Sequence, residues 1–88
     1  MNIARYIPKG HDNAVSREYL RITLHLPDRQ IRKMIAMSRE QIFWCEGGYF
    51  RHKNKDDLPY EMDYLRQERA RAMALFDKVK GIEAAIYG

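Results

Sequence analysis

The side chains that most often carry chemistry in proteins are few in this sequence and widely separated. Cysteine occurs once, at Cys45, so neither an internal disulfide nor a cysteine-rich zinc site can form. The histidines His11, His25 and His52 lack the H-x-x-x-H or E-x-x-H spacing of metal ligands. No glycine-rich phosphate-binding motif and no G-x-S-x-G nucleophile motif occurs. We therefore expect no metal, cofactor or small-molecule substrate, and an enzyme is the least supported class.

Length and charge define the remaining classes. The chain has 88 residues, with 16 Lys and Arg against 12 Asp and Glu, a net charge of +4, which is one small domain of ordinary globular composition. Residues 1–55 hold 11 basic and 5 acidic residues, a balance of +6, whereas residues 56–88 hold 5 and 7, a balance of −2. No apolar run reaches the ~20 residues of a membrane span, and the first ten residues lack a signal-peptide core. A lone thiol suits a reducing cytoplasm, where we expect the protein to lie.

Two short helices are predicted in the first half of the chain, after a helical turn over residues 1–7 and a short extended segment at residues 14–15. Ser16 is a good N-cap for a helix to residue 24. Pro27 fits the start of a second helix, with Asp28 in its first turn, and this helix is predicted over residues 28–40. Ile31 and its neighbours at helical spacing form the inner side, and basic residues occupy the outer side.

A β-hairpin is predicted around the Gly47-Gly48 pair, because β-prone sequence flanks the two glycines. With both glycines in the turn, Cys45 pairs with Phe50. Phe43, Cys45 and Phe50 then share one face, and Trp44 shares the other face with the tyrosine and arginine of the second strand. A shift by one residue would exchange the faces.

A long helix is predicted after the hairpin, capped by Asp57 or Leu58, with Pro59 in its first turn and running towards Lys80. Gly81 either ends or weakens it. Nine positions at alternating spacings of four and three form a seam that resembles a coiled coil: Leu58, Met62, Leu65, Arg69, Ala72, Phe76, Val79, Glu83 and Ile86. The helix is too long for one small domain to cover. We therefore expect a homodimer, with dimerisation through Leu58, Met62, Leu65, Ala72, Phe76 and Val79.

The order of these elements resembles the winged helix-turn-helix DNA-binding family, in particular its small bacterial and prophage members. The resemblance covers residues 13–20, 24–35 and 46–50, with His25 at a turn position where the family usually has glycine. It implies a mainly α fold with a small β-hairpin: a winged helix-turn-helix domain over residues 1–55, followed by a long C-terminal amphipathic helix over residues 56–88.

The resemblance also implies sequence-specific binding of double-stranded DNA, with residues 28–40 as the recognition helix and residues 46–49 as a short wing. The DNA-binding residues that it implies are Ser16, Arg17, Asp28, Arg29, Gln30, Arg32, Lys33, Arg51, Lys53 and Lys55. The biological role implied is transcription regulation, or an accessory role in replication or recombination, in a phage or mobile element.

An alternative function is a protein-interaction adaptor, because winged helices also bind proteins and a fold does not determine its use. Under that reading the long amphipathic helix lays its apolar stripe in a groove of a partner. The basic residues of the second helix would then be an ordinary solvated face. Acidic side chains that interrupt the basic surface would favour the adaptor, and a contiguous basic surface would favour DNA.

Overall fold

The computed structural model describes residues 2–88 and confirms a mainly helical chain with one antiparallel hairpin and a long C-terminal helix. The elements are α1 (Arg17–Leu24), α2 (Asp28–Ala36), β1 (Phe43–Cys45), β2 (Gly48–Phe50) and α3 (Leu58–Tyr87). Three short 3₁₀ turns lie at Ile3–Tyr6, His11–Asn13 and Lys55–Asp57. The first of them replaces the helical turn predicted over residues 1–7, of which Met1 lies outside the described residues.

The two short helices begin where the sequence predicts, and the structure defines the turn between them. The Ser16 hydroxyl accepts a hydrogen bond from the Tyr19 amide at 3.0 Å, which caps α1. His25 follows α1 in the left-handed conformation, with φ 55° and ψ 41°. Pro27 is the residue before α2, and its fixed φ suits this position. The turn therefore has the usual left-handed geometry even though histidine occupies the position where glycine is common.

α2 is shorter than predicted, because it ends at Ala36 and not at Glu40. After Met37 the chain bends, and the Ser38 hydroxyl donates to the Glu40 carbonyl at 2.9 Å. Serine competes in this way with helical hydrogen bonds. The bend brings Ile42 into the core and places Glu40 beside Arg51.

The hairpin register also differs from the prediction. Phe43 pairs with Phe50, Trp44 with Tyr49 and Cys45 with Gly48, so the turn residues are Glu46 and Gly47. The change moves each partner by two residues, and the predicted division of side chains between the two faces of the hairpin is therefore retained.

Gly48 is in the strand because the backbone of Val15 runs directly beside it. A Cβ atom at Gly48 would lie 2.2 Å from the Val15 carbonyl oxygen, and Gly48 has φ 123°. Val15 and Tyr49 exchange two backbone hydrogen bonds of 3.0 and 2.7 Å. The predicted extended segment at residues 14–15 thus becomes a short third partner of the hairpin, which ties the start of α1 to β2.

The core is a small cluster of aliphatic side chains between the N-terminal segment, α1 and α2. Ile3, Ile7, Leu20, Ile31 and Ile42 are all at least 95% buried. At the ~25 cal/mol per Å² of apolar burial, a core of this size gives modest stability. Contacts at the edge of the core are therefore important.

Asp57 forms the main polar contact at that edge and is 2% exposed. Its carboxylate accepts from the backbone amide and Nδ1 of His11 at 2.9 and 2.7 Å, and from the amides of Lys53 and Asn54 at 2.7 and 3.3 Å. Burial acts to raise the pKa of Asp57, but the hydrogen bonds outweigh it and hold the pKa well below its ordinary value. The carboxylate thus joins the loop before α1 to the exit from the hairpin.

α3 begins directly after this carboxylate and packs its first turns on the hairpin. Tyr60 stacks on His11 with ring centroids 4.0 Å apart, and Tyr64 meets Phe43 edge-on at 5.8 Å. Asp57 makes no side-chain cap to α3, because its oxygens are bound elsewhere. The helix continues through Gly81 to Tyr87, so Gly81 does not end it.

We expect the stability of the protein to fall in acid because of Asp57. Its pKa is depressed on folding from an ordinary value of 3.8, so its contribution is present above that pH and is lost as the pH falls further. Urea unfolding at a series of pH values should give a free energy that decreases below about pH 4. Asp57→Asn should lower stability at neutral pH by about 2 kcal/mol and flatten this decrease.

The carboxylate of the neighbouring Asp56 provides the matched control for this experiment, because Asp56 is exposed whereas Asp57 is buried. Asp56→Asn should leave both the neutral-pH stability and the acid response close to wild type. An Asp57→Asn protein with the wild-type pH profile would contradict the role of Asp57.

The left-handed His25 yields a second stability prediction. His25→Gly should raise the free energy of unfolding by about 0.5–1 kcal/mol, because glycine adopts φ above zero without a Cβ clash. His25→Val should lower it by about 1 kcal/mol or more, since a β-branched residue is strained there. Chemical denaturation of the three proteins measures both, and the opposite order would contradict the turn geometry.

Candidate nucleic-acid interface

The outer side of α2 is a polar, mainly basic surface. Ile31 is fully buried, whereas Arg29, Gln30, Arg32 and Lys33 are exposed. The 100° rotation per residue in a helix places Arg29 and Lys33 directly opposite the buried side. Among residues 2–88, no carboxylate forms an ion pair with either of them. Both cations are therefore available to a negatively charged ligand.

Asp28 binds the two other cations of this region. Its carboxylate lies 2.6 Å from Nε of Arg17 and 3.3 Å from Nε of Arg32. All three side chains are at least two-fifths exposed, so these pairs add little stability. They lie between the start of α1 and the start of α2 and orient both guanidinium groups towards Asp28.

The hairpin joins the same surface through Tyr49. The backbone of Tyr49 pairs with that of Val15, two residues before Arg17, through hydrogen bonds of 3.0 and 2.7 Å, and interaction with Tyr49 and then with Asp28 raises the pKa of Arg17. Trp44 packs edge-on against Tyr49 with ring centroids 4.9 Å apart, on the hairpin face away from the core, and is 40% exposed. α1, α2 and the hairpin thus converge around one arginine.

The remaining predicted contact residues fall into two groups. Ser16 and Arg51 have structural partners: Ser16 caps α1, and Arg51 donates to the Ile7 carbonyl at 2.6 Å and to Glu40 at 2.9 Å. With only 20% of its side chain exposed, Arg51 joins the N-terminal segment to the bend after α2. Lys53 and Lys55 are exposed beyond the hairpin. The structure therefore brings Arg17, Asp28 and Arg32 together but does not bring Arg51 to them.

One cluster of side chains has the composition of a metal site. Single ligand atoms of His52, Asp57 and Glu61 all lie within 4.8 Å of one another. Within the protein, however, His52 Nδ1 lies 2.7 Å from a Glu61 oxygen, and each Asp57 oxygen already accepts two hydrogen bonds. The cluster is thus explained as a contact that fixes α3 to the hairpin.

Sequence reasoning missed the link between this surface and the hairpin. Tyr49 and Trp44 were assigned only to the outer face of the hairpin, and the pairing of Tyr49 with Val15 brings that strand to the start of α1. The available signal was the short β-prone pair at residues 14–15, which places the start of α1 next to the second strand.

The predicted dimerisation residues all lie on the surface of the single chain. Leu58, Met62, Leu65, Ala72, Phe76 and Val79 are each exposed. Among residues 2–88, no helix has the length and apolar character needed to cross a membrane.

Comparison with known proteins finds no family model that matches the chain, and no curated protein or solved structure that is similar to it.

Proposed function

We propose that the protein binds double-stranded DNA sequence-specifically, with α2 in the major groove and the hairpin as a short wing beside it. The observation that carries the proposal is a surface on which Asp28 joins α2 to Arg17 at the start of α1 and the hairpin pairs with Val15 just before α1, with Arg29 and Lys33 exposed and unpaired within residues 2–88 on the outer side of α2. A helix of this diameter fits the major groove of B-DNA.

The residue types on α2 suit the reading of base edges. Arg29 can donate two hydrogen bonds to guanine O6 and N7, and Gln30 can make a similar pair with adenine. Lys33 is a point charge that suits a phosphate. Lys53 and Lys55 would contact the backbone beyond the hairpin.

Asp28 has a positioning role in this proposal. It holds the guanidinium groups of Arg17 and Arg32 in fixed directions before any ligand arrives. Such preorganisation lowers the entropy lost when long side chains are ordered on binding. The cost is a negative charge close to the DNA backbone, which weakens nonspecific attraction.

The biological role that we propose is transcription regulation, or an accessory role in replication or recombination, in a phage or mobile element. The support for this role is the resemblance of the order of elements to the winged helix-turn-helix family. Neighbouring genes of integrase, terminase or replication type would strengthen it.

The second candidate function is a protein-interaction adaptor, and Asp28 is the observation that favours it. Its carboxylate interrupts the basic surface and forms ion pairs with two of the predicted DNA-binding arginines. A pull-down that recovers one stoichiometric protein, unaffected by nuclease treatment, would support the adaptor over DNA binding.

We expect substitutions on α2 to reduce DNA affinity in two distinguishable ways. Arg29→Ala should lower affinity for a selected duplex about tenfold and relax the preference at one base pair. Lys33→Ala should weaken binding to all duplexes and reduce the slope of log K against log salt by about 1. Fluorescence anisotropy at several salt concentrations, with a site selected from random DNA, measures both effects.

Lys78→Ala is the matched control, because Lys78 is an exposed cation on α3, away from α2. It removes the same unit of charge and should leave affinity within about twofold. Absence of salt-sensitive binding by the wild type, or equal losses in Lys33→Ala and Lys78→Ala, would contradict the proposed interface.

Trp44 provides an independent signal, since it is the only tryptophan in the sequence. If the hairpin lies beside the DNA, addition of a bound duplex should change its fluorescence intensity or emission maximum. Arg29→Ala should shift the titration to higher DNA concentration without altering the end point. An unchanged Trp44 signal at saturation would remove the hairpin from the interface.

A further inference from the structure

The second half of α3 extends beyond the rest of the protein with an uncovered apolar side. Every residue from 69 to 87 is exposed. At 1.5 Å per residue, this stretch is about 28 Å long. It contains several of the most exposed large hydrophobic residues of the chain: Leu75, Phe76, Ile82, Ile86 and Tyr87 are 63%, 54%, 49%, 66% and 84% exposed. A contiguous apolar face of this kind marks an interaction site.

This apolar face continues the helix face by which α3 packs on its own domain. Glu61 is buried against the domain and Glu68 is partly buried. Leu75 and Ile82 follow these two residues at steps of seven, which is about two helical turns. A protein that covers this stripe therefore lies on the same side of α3 as the domain.

We propose that a second copy of the chain covers this stripe, with its α3 running antiparallel. The length of the uncovered stretch supports this occupant. In the antiparallel arrangement, residues 65–87 of each copy lie against the same residues of the other, and each domain lies at the end of the overlap. In a parallel pair, both domains would occupy the same end and the same side of the helices, where they would clash.

Charge complementarity supports the same direction. Arg69 and Glu83 flank the stripe on one side, and neither forms an ion pair within residues 2–88. A two-fold axis beside Phe76 places Arg69 opposite Glu83 of the second copy, twice. The same register places Phe76 opposite its own equivalent and brings Ala72 within one residue of the position opposite Val79. In a parallel pair each of these charges would face its own equivalent instead, which is unfavourable.

A groove at the junction of domain and helix would receive the end of the partner helix. It has a volume of about 430 Å³, and Phe43, Tyr64 and Leu65 supply its apolar wall. The antiparallel register brings Ile86 and Tyr87 of the second copy to Leu65. The predicted seam from Leu58 to Val79 is thereby moved towards the C-terminus, because the domain itself covers part of the first turns.

The proposed dimer has a consequence for DNA binding. The starts of the two α3 helices lie about 55 Å apart, given 1.5 Å per residue and an axis beside Phe76. One helical turn of B-DNA is ~34 Å. If both domains bind one duplex, the half-sites are therefore more than one turn apart. The dimer itself follows from α3 alone and does not depend on DNA binding.

Analytical ultracentrifugation of the full chain without DNA tests the proposal. We expect the 10.5 kDa chain to sediment as a dimer at tens of micromolar. Arg69→Glu and Glu83→Arg should each raise the dissociation constant about tenfold, since each replaces two attractive pairs by two repulsive ones. The double variant should restore it to within about threefold of wild type. Asp77→Lys, on the opposite side of α3, is the charge-reversal control and should have no effect.

Disulfide trapping tests the direction of the helices in a Cys45→Ala background. A mixture of Arg69→Cys and Glu83→Cys chains should give the mixed disulfide, and Arg69→Cys alone should give none. Cross-linking of Arg69→Cys with itself would establish a parallel pair and overturn the proposal. A monomer at every concentration, or a double variant as weak as the single variants, would also overturn it. DNA binding is measured separately, so either proposal can fail without the other.

Discussion

The buried carboxylate of Asp57 is the contact on which the arrangement of the molecule depends. It accepts four hydrogen bonds from His11, Lys53 and Asn54, residues that come from the loop before α1 and from the exit of the hairpin. α3 starts at Leu58, the residue after Asp57. A core of a few aliphatic residues cannot by itself fix three segments. The Asp57 carboxylate, which these donors keep ionised, connects the loop before α1, the exit of the hairpin and the start of α3.

The position of the candidate interface follows from that contact. The segment that carries His11 continues into Val15, which pairs with Tyr49 at 3.0 and 2.7 Å. Val15 is followed at once by α1, which begins at Arg17, and Asp28 joins Arg17 to α2. The hairpin is therefore linked to α1, and through Asp28 to α2, by a series of backbone and side-chain contacts that begins at the buried Asp57.

Local rules predicted the local elements. Ser16 as a cap and Asp28 in the first turn of α2 follow from side-chain chemistry within a few residues, whereas the left-handed conformation of His25 was not predicted. The predicted faces of the hairpin are also confirmed. The hairpin register and the end of α2 were wrong, because each depends on a distant segment. The register depends on the backbone of Val15, which leaves room only for a glycine at position 48. The end of α2 depends on Arg51, which forms an ion pair with Glu40 beyond the helix.

The candidate site could be predicted from the sequence only in part, for the same reason. Helical periodicity placed Arg29 and Lys33 on the outer side of α2. It could not reveal that Arg51 binds Ile7 and Glu40. Nor could it reveal that Asp57 binds His11 instead of capping α3. Both facts depend on tertiary contacts between residues that are distant in the sequence.

The central claim is that one surface, formed by the starts of α1 and α2 and the outer face of the hairpin, contacts DNA. An NMR titration of the isotope-labelled chain with a selected duplex tests it most directly. The account predicts that amide shift changes concentrate at Arg17, at residues 28–33 and at Trp44 and Tyr49, with residues 69–87 unaffected. Changes confined to α3, or no change on addition of duplex, would contradict it.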